Sequence, residues 1–250
     1  MKFLLSLTIA LGAPALAMAA PTLTLDAPAA RVVVLPEARA DMALTADPRL
    51  AIHPVAGGGA RVTGASSWLE QTLPWVFGYR CSAAGVSRWG RAIAIKDLPT
   101  LTARVPLDAD ITTRGAVFGQ AGAGRTLKLS ASGCGAWRLG PISSGLTVTQ
   151  TGPGQVIASH VDGALRATVD GSGTIVVGQG VTSTAKLIMK GDGRIDDRGT
   201  VGMLDAEMRG SGLITVRLLA GQAKVAYDGD GNVRWGRPKG KKFCAGLACY

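Results

Sequence analysis

Between Leu107 and Trp235 the apolar and polar positions repeat one short pattern seven times. Each copy opens with alternating apolar residues, breaks at Gly-x-Gly and resumes with an apolar residue, as in Leu165-Arg-Ala-Thr-Val-Asp-Gly-Ser-Gly-Thr-Ile. The opening residues are Leu107, Leu127, Leu146, Leu165, Ala185, Leu204 and Ala223, a period of 19 or 20 residues. Paired glycines fall at 133/135, 152/154, 171/173, 191/193, 210/212 and 229/231; the first copy carries Thr113 and Gly115 instead.

Period-two alternation predicts strands with one buried face, and glycine supplies a corner because it reaches positive φ without steric cost. Beyond each corner Trp137, Val156, Ile175, Ile195, Ile214 and Val233 hold one equivalent position and begin a second strand. A single turn cannot bury its own apolar face, whereas stacked turns share a continuous core. A fixed period of this length is the mark of a solenoid. The pattern therefore predicts an all-β parallel β-helix (β-solenoid) of about seven rungs, with an N-terminal β cap. Gln150 and Asp197 stand where the pattern calls for inward apolar residues. A short bulge or an early strand end is the expected reason at both places, with burial beside a partner as the alternative.

The rest of the chain falls outside this repeat. Residues 1–19 begin with Lys2, continue through an apolar run and end in Ala17-Met18-Ala19. That order is a secretory signal peptide with cleavage after Ala19. No cysteine near the cleavage point offers a lipid anchor, and no other apolar run has the length of a membrane span. The expected organisation is 1–19 signal peptide, 20–106 N-terminal β segment, 107–236 β-helix repeats and 237–250 basic cysteine-containing tail. The expected compartment is the periplasm or the cell surface. Within 20–106, Thr22-Leu-Thr-Leu and Arg31-Val-Val-Val-Leu read as two strands, the second closed by Pro36. Trp68, Trp75 and Trp89 are expected to plug one end of the solenoid.

Four cysteines in an exported chain imply two disulfides. Cys134 sits at a corner tip near the N-terminal end of the rod, where Cys81 should also lie. Cys244 and Cys249 are close in a glycine-containing segment. The predicted bridges are Cys81–Cys134 and Cys244–Cys249. Zinc is the weaker use, since neither histidine adjoins a cysteine in sequence.

The Gly-Ser-Gly corners, carried best by Val169-Asp-Gly-Ser-Gly-Thr-Ile and Met208-Arg-Gly-Ser-Gly-Leu-Ile, resemble the auto-transporter adhesin, head GIN domain family. The resemblance covers about residues 101–236. It implies a β-helical envelope protein of undefined molecular function, and it brings no catalytic residues to carry over. The tryptophan-containing segment and the basic tail depart from that family's pattern. These 250 residues leave no room for an outer-membrane barrel, so the chain is not expected to be itself an auto-transporter.

Charge narrows the partner class. The formal net charge is +10, and removal of Lys2 with the signal peptide lowers it by one. Arg234, Arg237, Lys239, Lys241 and Lys242 crowd the tail, with no carboxylate after Asp230. A basic exported protein is attracted to anionic polymers, so these five are the candidate polyanion contacts, with anionic envelope polysaccharide the expected partner. The outward second residue of successive rungs, read as Asp108, Lys128, Thr147, Arg166, Lys186, Asp205 and Lys224, leans basic as well.

Catalytic patterns are sparse. There is no G-x-S-x-G elbow, H-E-x-x-H or phosphate-loop lysine. Ser159 and His160 are neighbours on a strand and point to opposite faces, so they form no base–nucleophile pair with Asp162. Asp205 and Glu207 share a face about 6.6 Å apart, within the range of glycosidase carboxylates, yet Arg209, Arg166 and Lys186 are placed to ion-pair with them. Asp192 and Asp230 hold equivalent corner tips two rungs apart, about 9.6 Å, too far to share one calcium. The leading expectation is a non-enzymatic exported binding or adhesion module without cofactor or metal. A carbohydrate-active enzyme using Asp205 and Glu207, or a structural periplasmic protein with no ligand, are the alternatives.

Overall fold

A computed structural model describes residues 20–64, 80–82, 84–88, 91–237, 244–245 and 248–249. The chain is a β-solenoid of about seven repeat turns; the described residues are 75% strand and include no α-helix. The N-terminal part contributes β1 (Thr22–Glu37), β2 (Ala43–Ala46), β3 (Leu50–Val55) and β4 (Gly59–Gly64). β5 (Arg80–Ser82), β6 (Gly85–Arg88) and β7 (Arg91–Ala94) form a separate antiparallel sheet, followed by β8 (Thr100–Pro106).

The repeats start at β9 (Asp108–Ala121), which makes a whole turn. The next turns pair β10 (Gly124–Ser132) with β11 (Ala136–Leu139), β12 (Ile142–Thr151) with β13 (Gln155–His160), and β14 (Gly163–Asp170) with β15 (Thr174–Gln179). β16 (Val181–Lys190) leads into β17 (Arg194–Arg209), which rounds a corner and opens the following turn. β18 (Leu213–Leu219), β19 (Ala223–Tyr227) and β20 (Asn232–Trp235) complete the rod. β21 (Cys244–Ala245) and β22 (Ala248–Cys249) form a small antiparallel pair.

Each turn has a first face before the glycines, a second face after them, and a short third side. On the first face Leu127, Leu146, Leu165, Ala185 and Leu204 lie over one another in parallel register, all buried. Leu129, Val148, Ala167, Leu187 and Ala206 form the next buried column. On the second face the predicted column of Trp137, Val156, Ile175, Ile195, Ile214 and Val233 is in register and buried. The third side adds buried Ile142, Val161, Thr182, Val201 and Leu219. Alternation thus turns one residue in two toward a core running the length of the rod, each large side chain contributing about 1.5–3 kcal/mol on burial.

Most corner glycines leave no room for a side chain. Gly191 has φ +132°, and a Cβ there would come within 2.7 Å of the Gly171 carbonyl oxygen. A Cβ on Gly193 would meet the Gly173 carbonyl oxygen at 2.3 Å. Glycine therefore both bends the chain and lets successive turns approach to hydrogen-bonding distance.

Three local expectations change. Leu127 lies over Ala109 rather than Leu107, which is exposed, so the first copy is framed two residues later. Gly115, at φ +103°, is then its first corner glycine, and Val117 replaces the second. Gln150 keeps the inward register between Ala131 and Val169 and is buried, its amide donating to the carbonyls of Gly133 and Thr151 at 3.3 and 3.1 Å. The expected bulge is absent there because the amide finds backbone acceptors. At Asp197 a register shift does follow, toward Thr200, yet the carboxylate itself remains inside.

The N-terminal strands extend the same rod. β1 is one 16-residue strand with an irregularity between Asp26 and Ala29, not two strands, and Pro36 is still in register with Val105. From Thr22 to Val34 it runs parallel to β9, and its other side pairs with β4 and β8. β1 is therefore a turn inserted between the β4–β8 layer and β9, although β8 and β9 are consecutive in the chain. β2 and β3 pair antiparallel with β8 and β4. Trp68, Trp75 and Trp89 lie outside the described residues.

Candidate functional site

A trough of about 920 Å³ runs along the first face. It crosses the turns from Ala109 and Asp110 to Ala223 and Lys224, and Ala20 lines one end. Small residues make the depression: Gly145 and Ala164 occupy the outward position just before the buried opening residues. Thr126, Thr184 and Gln222 take that position in other turns and leave hydroxyl and amide groups on the wall.

One residue beyond the opening position runs the basic column. Asp110, Lys128, Thr147, Arg166, Lys186, Asp205 and Lys224 succeed one another in register. Asp110 thus replaces Asp108 at the first place, following from the shifted frame. Lys128 pairs with Asp110 at 2.8 Å and Lys186 with Asp205 at 3.2 Å. Arg166 and Lys224 have no ion-pair partner among the described residues and are exposed. Asp108 instead binds Arg125 and Thr126 on the same edge, and the Arg125 guanidinium lowers its pKa to about 2.

The candidate acid pair is occupied by cations. Asp205 faces Lys186, and Glu207 ion-pairs with Arg209 on its own strand. Arg166 lies two turns from Asp205 and does not join them. His160 ends β13 and is part-exposed, its Nε2 2.9 Å from Asp162 Oδ2. The other carboxylate oxygen of Asp162 accepts the Val181 backbone N–H, and this bond, then the histidine, holds its pKa below the usual carboxylate range. Ser159 is on the opposite side of the strand from the buried column and hydrogen-bonds neither residue among the described bonds.

Asp192 and Asp230 are exposed at corner tips, as drawn from the repeat. Among the described residues no three His, Cys, Asp or Glu side chains gather as a metal-binding group. Arg234 is exposed on the second face in register with Thr215, and Arg237 follows it. Arg234 therefore lies on the second face, not on the face that carries the trough. Lys239, Lys241 and Lys242 lie outside the described residues.

The predicted bridge between Cys81 and Cys134 is formed, with Cα atoms 5.6 Å apart. It fastens the β5–β7 sheet to the corner before β11. Backbone pairing sets Cys244 opposite Cys249, while the side chains of the predicted second bridge are outside the described ones.

Sequence reading did not find a second cavity, of about 700 Å³, beneath the β5–β7 sheet. Arg31 from β1, Arg80 from β5 and Arg138 from β11 border it, together with Phe118 and Gln120. Nothing in the repeat marks these arginines, because their proximity depends on the insertion of β1 and on the disulfide.

The class defined by this geometry is the parallel β-solenoid. No family model matches the chain, and no curated protein matches it. Among solved structures, a crystal structure of a "putative lipid binding protein" from Parabacteroides distasonis superposes with TM-score 0.52 at 15% identity, covering 88% of this chain and 94% of that one. A "putative cell adhesion protein" from Clostridium sporogenes aligns over the same shares at 8% identity, with TM-score 0.26. The first likeness shows the fold alone; the second is too low to carry an argument. No helix of the described residues is long and apolar enough to cross a membrane.

Proposed function

We propose that the protein is an exported, non-enzymatic binding module of the cell envelope that lays an anionic polymer along its first face. The observation carrying this reading is the trough itself, with Lys128, Arg166, Lys186 and Lys224 along one wall. A linear polyanion is matched by cations repeated along a rod, and each counterion it releases adds to binding. The two exposed ion pairs in the column offer little resistance, since such pairs contribute only about 0–1 kcal/mol. The head GIN family relationship and the adhesive role belong to this proposal, as does export by the segment 1–19. Arg234, Arg237, Lys239, Lys241 and Lys242 would hold the polymer where it leaves the rod.

Binding to alginate and dextran sulfate at two salt concentrations tests the reading. Replacing Arg166, Lys186 and Lys224 by Gln should weaken binding and flatten its salt dependence. Replacing Arg237, Lys239, Lys241 and Lys242 measures the tail separately. Unchanged binding in the first variant would reject the trough. Filament formation by the second, with binding intact, would make the tail a guard of the exposed strand edge instead.

A further inference from the structure

The cavity beneath the β5–β7 sheet carries a more specific assignment than the trough. Its walls come from three separate parts of the chain. Arg31 lies on β1, in register with Phe118 of β9, which in turn faces Ala136 of β11. Arg138 lies on β11 in register with Gln120. Arg80 begins β5, next to the cysteine that anchors the sheet to Cys134. Ile95, Phe118, Ala136 and Pro153 supply apolar wall, and Ser82, Gln120 and Gln155 supply neutral polar groups. The lid-like sheet is held by packing as well as by the bridge: Val86 and Leu98 bury against Ala116 and Phe118.

The charge pattern of this site is the reverse of its surroundings. Arg39, Arg49, Arg61, Arg104, Arg114 and Arg125 each ion-pair with a nearby carboxylate. Among the described residues Arg31, Arg80 and Arg138 have no such partner, and none of those that line the cavity is an Asp or Glu. Arg91 is also exposed and has no ion-pair partner among the described residues, but it is not among those that border the cavity. Three like charges facing one apolar-walled space repel one another, and a bound anion removes that cost. Guanidinium groups favour planar, bidentate oxyanions. Three of them without a carboxylate match a dianion better than a single carboxylate group. The volume suits a small organic molecule rather than a bare ion.

We infer that Arg31, Arg80 and Arg138 form a binding site for a phosphate monoester, with its organic part against Phe118, Ile95 and Pro153. This site is on the second face and does not rest on the trough.

Calorimetric titration of the full chain with glucose 6-phosphate, and co-sedimentation with phosphatidylcholine vesicles containing phosphatidic acid, test the assignment and separate its two sources. One saturable site is expected in one arm. Arg31→Gln, Arg80→Gln and Arg138→Gln should each weaken it about tenfold or more, the loss typical of a charged hydrogen bond. Arg217→Gln, exposed on the same face but away from the cavity, should leave it unchanged, as should the trough variants. Saturation by glucose 6-phosphate identifies a soluble ester, and saturation by vesicles alone identifies a lipid headgroup. Thermal melting confirms that each variant folds. Ligand-dependent slowing of hydrogen exchange at Phe118 and Gln120 reports the same site without substitution. Absence of saturation in both arms, or equal weakening by Arg217→Gln, overturns the assignment.

Discussion

The middle turns and the N-terminal layers use the same parallel ladders, yet their strands find partners in different ways. From β10 to β20 every strand pairs with its counterpart one repeat away, and the same three inward columns recur. At the N-terminal end Leu23 pairs with both Ala60 and Ile111, and Arg31 with both Thr100 and Phe118. Regular pairing makes a uniform rod with shallow surfaces. Irregular pairing brings distant segments together, and it is there that a cavity walled by three separate segments arises.

The largest effect that separates the two regions should come from Leu165→Asp. It removes a buried leucine from the centre of the first-face column and leaves an unpaired carboxylate among apolar neighbours. The cost should exceed about 5 kcal/mol, comparable with the whole stability of many domains. Circular dichroism should show loss of the folded state; an unchanged melting temperature would mean that this column is not the core.

Next comes Trp137→Ala, at the join of the two regions. Trp137 is 2% exposed and faces Gly119, where a Cβ would come within 2.3 Å of the indole. Truncation should cost about 3–5 kcal/mol in denaturant unfolding, and a loss below 1 kcal/mol would show that the rod closes around the gap.

Cys134→Ser should follow, with a loss of about 2–4 kcal/mol. Its distribution sharpens the comparison more than its size. Hydrogen exchange should accelerate across β5–β7 and leave β12–β18 unchanged. Uniform acceleration along the rod would mean that the N-terminal layers and repeats unfold as one.

The smallest effect should be a gain. Asp197 is 1% exposed; one carboxylate oxygen accepts the Gly199 N–H at 2.8 Å and the other has no hydrogen-bond partner. Burial, outweighing that hydrogen bond, raises its pKa above the ordinary aspartate value. A folded-state pKa above the unfolded one favours the protonated form, so this group's contribution to stability is most favourable in acid. It falls as pH rises through the unfolded value toward the folded one. Asp197→Asn should therefore stabilise the protein at pH 7 by about 1–3 kcal/mol and by much less at pH 3. Equal melting shifts at both pH values would remove the carboxylate's charge as the cause.

The same contrast decides what could be read in the sequence. Leu127, Leu146 and Leu165 announce their stacking because the same spacing is written many times, and Trp137 announces the second face for the same reason. The Cys81–Cys134 bridge was legible because a corner tip has a predictable direction. The frame of the first copy was missed because Leu107 fits an apolar opening position as well as Ala109 does, and only pairing with β10 distinguishes them. Gln150 and Asp197 could be recognised as exceptions, but whether a polar side chain finds an inward partner depends on coordinates. Arg31 looked like an ordinary residue before a valine run. Its place beside Arg80 and Arg138 depends on a pairing that no repeat encodes.

The insertion of β1 between the β4–β8 layer and β9 also dictates an order of assembly. A turn in the repeats needs only its sequence neighbour, so closing it spans a short loop and is entropically cheap. β1 must wait for segments far along the chain, since Thr22 pairs with Asp110 and Glu37 with Pro106. Non-local pairing of this kind slows folding. The rod should therefore grow from its middle turns, and the strand made first should be among the last to lock in place.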